Sequence, residues 1–383
     1  MRVLIVHNQL WAHYKSKLFE EIHRNLSERY PRAVFRVVQI GLYESSRRSM
    51  QSEDAGGYDY PYQLLFRESL DRISFPTRLK ALLAAYREFR PDVLNITGYY
   101  DWAQILLMCL AKAGGVKVVL SSESSAADHN RSPLRETVKR WIVNRADAFF
   151  CFGTTSVEYL KRLGVPEKKI TVRNAAVIDD RRIREEFLHA RLTARKHSPA
   201  FIFVGRLAEE KNLKLLLEAY RRAKSQSPVP WGLMLVGDGP MKNEITDYVE
   251  KERLEGVTIT GGVSWLEVPR WLSLADVLIL PSYSEPWGLV VNEALVCGLP
   301  VIVSEKCGCA GDLVEAGKNG YLFDPYNADE LAAHMVRFME MPPEQLQSYG
   351  ARGQAIVSKF AAGKVAAEMV NTYVSLSRTA ERK

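Results

Sequence analysis

No stretch of this chain approaches the ~18 consecutive apolar residues that a membrane-crossing helix needs. The apolar run at its start, Val3-Leu4-Ile5-Val6, is far shorter than the core of a signal peptide. Together these absences point to a cytoplasmic protein. Cysteine is scarce, five residues in 383, an odd number without a regular framework. That excludes a disulfide scaffold and agrees with a reducing compartment. No run of five basic residues occurs either. The net charge of +7 is nevertheless unevenly spread: residues 1–175 hold 27 Lys and Arg against 18 Asp and Glu, while residues 176–383 hold 25 against 27. A basic half of this kind meets an anionic membrane surface or an anionic substrate, or is simply well solvated. Its cations are spread over helical segments without an aromatic stacking stripe, which argues against nucleic acid as a partner.

What is present is a globular composition, with 47% hydrophobic and 25% charged residues, and a length that fits two domains. Val3–Val6, Val34–Ile40, Val93–Ile96, Val116–Leu120, Ala148–Cys151 and Ile170–Val172 read as strands separated by helical patterns, with Glu44–Tyr62 as a mobile loop. A second series follows: Phe201–Val204, Leu233–Val236, Val257–Thr260, Val277–Pro281, Val301–Ser304 and Tyr321–Phe323. Near-continuous apolar runs alternating with amphipathic helices indicate buried parallel strands with crossover helices. The expected fold is α/β, two Rossmann-like doubly wound domains facing a central cleft. Residues 1–178 would form the first domain, the Arg-dense stretch 179–199 a linker, 200–342 the second domain, and 343–383 closing helices.

In such sheets ligands bind beyond the carboxyl ends of the strands. After Phe201–Val204 comes Gly205-Arg206-Leu207-Ala208-Glu209-Glu210-Lys211-Asn212, two cations around a short loop before a helix. That suits a diphosphate; an ordinary surface loop would read the same. After Leu233–Val236 comes Gly237-Asp238-Gly239-Pro240, either a close approach for a ligand or a plain turn. After Val277–Pro281 comes Ser282-Tyr283-Ser284-Glu285-Pro286-Trp287-Gly288-Leu289, with Glu293 following on the helix expected to begin near Gly288. Carboxylates grip vicinal hydroxyls, accepting two hydrogen bonds at once.

G-R-x4-K, then G-D-G-P, then E-P-W-G-L-x3-E-A-L, then G-L-P-V-I, in this order over about residues 200–330, resemble the retaining glycosyltransferases of family 4, glycosyl transferases group 1, with the GT-B fold. The resemblance implies that Arg206 and Lys211, with Gly205, hold the donor diphosphate. Glu293 would bind the nucleotide ribose and Glu285 the hydroxyls of the donor sugar. Trp287, Gly288 and Leu289 would present backbone N–H groups, while Pro286, Gly237 and Asp238, and the turn Gly262-Val263 against the base, would complete the donor site. The segment Gln345–Thr379 resembles the family's closing helices, which return to the first domain. With both glutamates occupied by hydroxyls no protein nucleophile stands out. The expected route is therefore front-face transfer, catalysed by Arg206, Lys211, Glu285 and Glu123. The chain has no Asp-x-Asp, so neither metal nor cofactor is expected beyond the nucleotide-sugar co-substrate.

The first half departs from that family. Its first strand leads into His7-Asn8-Gln9-Leu10-Trp11-Ala12-His13, without glycine, where Asn8, Trp11 and His13 would shape an acceptor pocket or merely cap and cover the first helix. Where relatives carry His after the strand Val116–Leu120 this chain has Glu123, with His129 more distant. The acceptor, a glycan, a lipid-linked sugar or a small molecule, is bulky or unusual, and lipid-linked acceptors would bring the protein to the inner membrane face. Cys307-Gly308-Cys309 is too tightly spaced for an ordinary zinc pair and reads as a loop. The rival activities are nucleotide-sugar epimerisation or hydrolysis on the same fold and, from another class, nucleic-acid binding.

Overall fold

The computed structural model describes residues 1–11, 13–45, 58–98, 100–122, 133–193 and 198–381, the side chains at 13, 133–135 and 379–381 excepted. The chain forms two compact units, Met1–Ile178 with Phe360–Lys383, and Asp179–Lys359.

In the first unit the strands are β1 (Arg2–Gln9), β2 (Val34–Gly41), β3 (Tyr62–Leu64), β4 (Val93–Thr97), β5 (Lys117–Ser122), β6 (Ala148–Cys151) and β7 (Ile170–Val172). They form one parallel sheet in the order β3-β2-β1-β4-β5-β6-β7. The crossover helices are α1 (His13–Arg29), α2 (Phe75–Phe89), α3 (Trp102–Ala113), α4 (Pro133–Val143) and α5 (Thr154–Arg162). Val3 to Val6 are all buried, because a central strand covered on both faces has no polar side to present. β3 begins at Tyr62, the last residue of the expected loop Glu44–Tyr62, of which residues 46–57 lie outside the described residues. It is only three residues long and is recognisable mainly through its pairing with β2.

The second unit holds β8 (Ala200–Val204), β9 (Gly232–Val236), β10 (Val257–Gly261), β11 (Val277–Leu280), β12 (Val301–Ser304) and β13 (Gly320–Phe323), again all parallel, in the order β10-β9-β8-β11-β12-β13. Its helices are α6 (Asp180–Thr193), α7 (Leu213–Gln226), α8 (Lys242–Lys251), α9 (Val268–Ser273), α10 (Leu289–Val296), α11 (Ala310–Leu313), α12 (Ala328–Met339) and α13 (Pro343–Val357). The strand order reverses at β8, so β8 and β11 part their crossovers to opposite sides. The loops that follow these two strands therefore flank an open crevice.

Two boundaries differ from expectation. The stretch 179–199 is not a bare linker: residues 180–193 are α6, a part of the second unit that packs on α9 and α10. Ile183 and Phe187, one helical turn apart, are its buried contacts, and Arg191 donates to the Ser273 carbonyl at 2.9 Å and the Ala275 carbonyl at 2.7 Å. Likewise α13 stays with the second unit, because Gly350 and Gly353 let it lie directly against Gly298 and Leu295 at the end of α10. The chain rejoins the first unit only from Phe360, where α14 (Ala362–Glu381) packs on α1 and Asn95 of β4 donates to the Tyr373 hydroxyl at 2.7 Å. Among the described residues no helix is long and apolar enough to cross a membrane.

Candidate active site

Four of the six strands of the second unit end on residues marked out in the sequence. β8 runs into Gly205, β9 into Gly237, β10 into Gly262, and β11 into the loop carrying Glu285. The glycines let the first three loops interlock. A side chain at Gly237 would overlap the Gly205 carbonyl oxygen, and one at Gly239 that of Leu207. In the space so freed, Leu207 N–H donates to the Asp238 carbonyl at 2.8 Å and Gly237 N–H to the Gly261 carbonyl at 3.1 Å. Gly262 sits against the Asp238 side chain. Gly205, Gly237, Asp238 and Gly262 thus form one layer, with Val263 following.

The loop after β8 is tied to the loop after β11. Asn212, at φ +57° just before α7, donates from its buried side-chain amide to the carbonyls of Pro281, at 3.1 Å, and Pro325, at 2.7 Å. Tyr283 N–H donates to the Glu210 carbonyl at 2.9 Å. These bonds bring Lys211 to Glu285, 74 residues away in sequence, and the ammonium is ion-paired with the carboxylate. The two side chains are 15% and 16% exposed, a pair largely withdrawn from water at the switch point of the sheet. Arg206 behaves differently. It is 45% exposed and pairs with Glu210 within its own loop, which leaves its guanidinium at the surface of the crevice.

The Pro-Trp-Gly between the glutamates is a structural device. Gly288 adopts φ +96°, where a side chain would come within 2.7 Å of Leu280, and this turns the chain into α10. Trp287 is 3% exposed and its indole N–H donates to Asn292 at 2.8 Å, so its side chain serves packing. The loop after β12 supports it: Gly308 N–H donates to the Glu285 carbonyl at 2.9 Å and Cys309 N–H to the Trp287 carbonyl at 3.1 Å. A side chain at Gly308 would overlap the Pro286 carbonyl, which accounts for glycine between Cys307 and Cys309. The first amides of α10 have no acceptor within the helix.

Glu293, on the second turn of α10, makes no side-chain hydrogen bond or ion pair among the described residues, and burial pushes its carboxyl up to about 7. Arg182 of α6 is the charged group that acts against that rise. Its guanidinium lies over the Trp265 ring at 4.1 Å, a partly exposed contact of a type that contributes ~1 kcal/mol. Arg182, Trp265 and Asn212 were not singled out from sequence. The Ile183/Phe187 spacing would have revealed α6, whereas nothing local connects Arg182 to Glu293.

In the first unit, Asn8 accepts from Gln104 at 2.6 Å and so ties β1 to α3, and Trp11 stacks on Tyr43 with centroids 5.2 Å apart. Glu123 and His129 lie outside the described residues, as does the side chain of His13.

Two family models match the chain, one described as glycosyl transferases group 1 over residues 184–355 and one as a glycosyl transferase 4-like domain over residues 21–175. A putative colanic acid biosynthesis glycosyltransferase of Salmonella typhimurium is 32% identical over 57% of this chain and 54% of its own length. Glycogen synthase of Mycobacterium tuberculosis is 27% identical over 79% of this chain and 72% of its own. The chain therefore spans about half the length of the first of these relatives. Among solved structures, sucrose-phosphate synthase from Thermosynechococcus elongatus superposes with a TM-score of 0.75 at 18% identity, covering 99% of this chain and 100% of that one. Anabaena HepE in complex with UDP gives 0.73 at 19%, covering 98% and 100%. At such identities the likeness is one of fold.

Proposed function

The chain belongs to the group 1 glycosyltransferases of family 4, with the GT-B fold, and on that premise we propose that it moves a glycosyl group from a nucleoside-diphosphate sugar, bound on its second unit, to an acceptor hydroxyl. The observation that carries this reading is the Lys211–Glu285 pair at the switch point of the second sheet, with Arg206 in the same loop. A cation for a diphosphate and an acid for sugar hydroxyls are held at one place before any ligand arrives. The Anabaena relative solved with UDP supports a nucleotide as the donor's handle.

Arg206 and Lys211 receive the diphosphate, Glu285 the donor-sugar hydroxyls and Glu293 the ribose. Gly237, Asp238, Gly262 and Val263 border the base, and the backbone from Pro286 to Leu289 meets phosphate or sugar oxygens. Transfer then takes a retaining, front-face course. The bond between the sugar's anomeric carbon and the diphosphate breaks with its electron pair going to the phosphate oxygen. The acceptor oxygen bonds to the same face of that carbon, and its proton passes to the departing diphosphate. Lys211, already placed by Glu285, needs little reorganisation to stabilise the growing charge, and each preorganised cation is worth ~2–4 kcal/mol of barrier. No step calls on a metal. A glycan or lipid-linked acceptor suits the relative named for colanic acid biosynthesis, and a lipid-linked one would take the protein to an anionic membrane surface.

The test is a thermal-shift screen of nucleoside diphosphates and nucleotide sugars, since a ligand that binds the native state alone raises its melting temperature. A hit is then carried into product analysis by proton NMR. Inverted anomeric configuration would exclude the front-face route, turnover that requires a divalent cation would exclude metal independence, and no hit among the nucleotides would exclude the donor site itself.

A further inference from the structure

The proposed donor site leaves the outer helices of the first unit unexplained. α3 is apolar almost all round, a composition expected of a helix buried on every side. Its inner face, with Ile105 and Met108, is buried in the core of the first unit. Its outer face is uncovered: Trp102, Leu106 and Leu110, spaced one helical turn apart, are 57%, 41% and 52% exposed. The one charged side chain of α3, Lys112, turns aside to Asp147 at 2.8 Å. Large apolar side chains exposed singly mean little, but a continuous row of them marks an interaction surface.

The helices on either side of this row carry positive charge. β4–α3–β5 and β5–α4–β6 step the same way along the sheet, so right-handed crossovers set α3 and α4 in one layer. α2 packs on α3 in that layer, and Leu82 of α2 and Ile142 of α4 bury into the same core. The outward positions include Lys80 and Arg87 on α2 and Arg140 and Trp141 on α4, all exposed. Among the described residues Lys80, Arg87 and Arg140 make no ion pair. The acids around them are engaged: Asp101 with Arg78, Glu136 with Lys139, Asp147 with Lys112 and Glu88 with Arg36. The layer thus presents an apolar row between uncompensated cations.

We propose that the outer face of α3, between the cations of α2 and α4, is the surface by which the protein lies on an anionic lipid membrane. Leu106 and Leu110 enter the acyl boundary, and the indoles of Trp102 and Trp141, apolar rings with a polar N–H, suit the headgroup level. Lys80, Arg87 and Arg140 meet lipid phosphates. With 12 residues α3 is ~18 Å long, too short to cross a ~30 Å hydrocarbon core, so it lies in the plane of the surface. Charge decides between occupants: in a symmetric pair a second copy would set this basic face against itself. The inference rests on the reading of a lipid-linked acceptor for its purpose, and its test does not depend on turnover.

The full chain is sedimented with vesicles of phosphatidylglycerol and phosphatidylcholine, with vesicles of phosphatidylcholine alone, and with the mixed vesicles in ~1 M salt, where screening acts within ~3 Å. The native protein should bind the mixed vesicles, and ~10-fold or more of that affinity should vanish without the anionic lipid or in high salt, at about 5-fold per cation near the surface. Leu106→Glu should abolish binding, and Lys80→Glu with Arg87→Glu should weaken it by ~25-fold or more. Leu192→Glu, at an exposed apolar residue of α6 in the second unit, should change nothing. Brominated acyl chains should quench the tryptophan emission of the native protein, and Trp102→Tyr should lose much of that quenching, a readout that needs no disruptive substitution. No binding to the mixed vesicles, binding that survives Leu106→Glu, or equal binding to phosphatidylcholine alone overturns the proposal. So does a concentration-dependent dimer that Leu106→Glu abolishes, which would give the face to a second copy. Thermal shifts by nucleotides are read alongside and should be the same in Leu106→Glu as in the native protein. Their absence while vesicle binding persists would strike the donor reading and leave this surface standing.

Discussion

Replacing Glu293 with Gln should make the protein more stable at alkaline pH and leave it nearly unchanged in acid. The carboxyl titrates at about 7 in the folded chain against an ordinary 4.5, because burial on α10 penalises its charged form. Between these values the native state holds a proton that the unfolded chain has already released, so stability falls as pH rises through the window. A shift of about 2.5 units at 1.36 kcal/mol each makes the loss ~3 kcal/mol, complete above pH ~8. Gln has nearly the same shape and carries no charge, so it removes the dependence. The assay is urea unfolding at pH 5 and pH 8, followed by tryptophan fluorescence, for which the second unit supplies Trp231, Trp265, Trp271 and Trp287. Subtracting the native protein from the variant cancels every other titrating group. A difference near zero at pH 5 that grows to ~2–3 kcal/mol at pH 8 is the expected result. A difference that does not change with pH, or one that turns against the variant between pH 5 and pH 8, would refute the reasoning. The same variant should bind nucleotide less well, since the strain of a buried acid is kept for what the acid grips.

Arg206→Ala and Lys211→Ala should each lower kcat by ~30- to 1000-fold, the rate equivalent of ~2–4 kcal/mol, in a transfer assay with saturating acceptor. Asn212→Ala should cost ~2–4 kcal/mol in urea unfolding, because the buried carbonyls of Pro281 and Pro325 lose their donor; Asn212→Gly relieves only the left-handed backbone and should recover a minor part. Gly308→Ala should destabilise by more than 2 kcal/mol, its methyl falling on the Pro286 carbonyl. Gly311→Ala, three residues on in α11 with open space around it, should instead stabilise by ~0.5–1 kcal/mol, and thermal unfolding of the two variants side by side checks the opposite signs.

The strands of both sheets were legible because a strand buried on both faces must be a nearly unbroken apolar run, and such runs stand out without knowledge of their neighbours. β3 was not, since three residues carry too little pattern. α6 was hidden by its own composition: arginines that signal a solvated linker are here docking bonds such as Arg191 to Ser273 and Ala275. At the site, order along the chain named Arg206, Lys211, Glu285 and Glu293. It did not say that Lys211 and Glu285 pair, because that depends on β8 and β11 being neighbours although two strands separate them in sequence. Arg182 was out of reach for the same reason, its influence on Glu293 being made by the packing of α6 on α10. Nor did order along the chain show that the Trp287 side chain is spent on Asn292, which only the folded loop brings about.

The central claim, that two acids and two bases serve one nucleotide sugar, is tested most directly by calorimetric titration of the best-binding nucleoside diphosphate and of its sugar conjugate into the native protein and four alanine variants. Arg206→Ala and Lys211→Ala should weaken both ligands by tenfold or more, Glu293→Ala should weaken both through the ribose, and Glu285→Ala should weaken the conjugate more than the bare diphosphate. Four variants that bind both ligands as the native protein does would contradict the account.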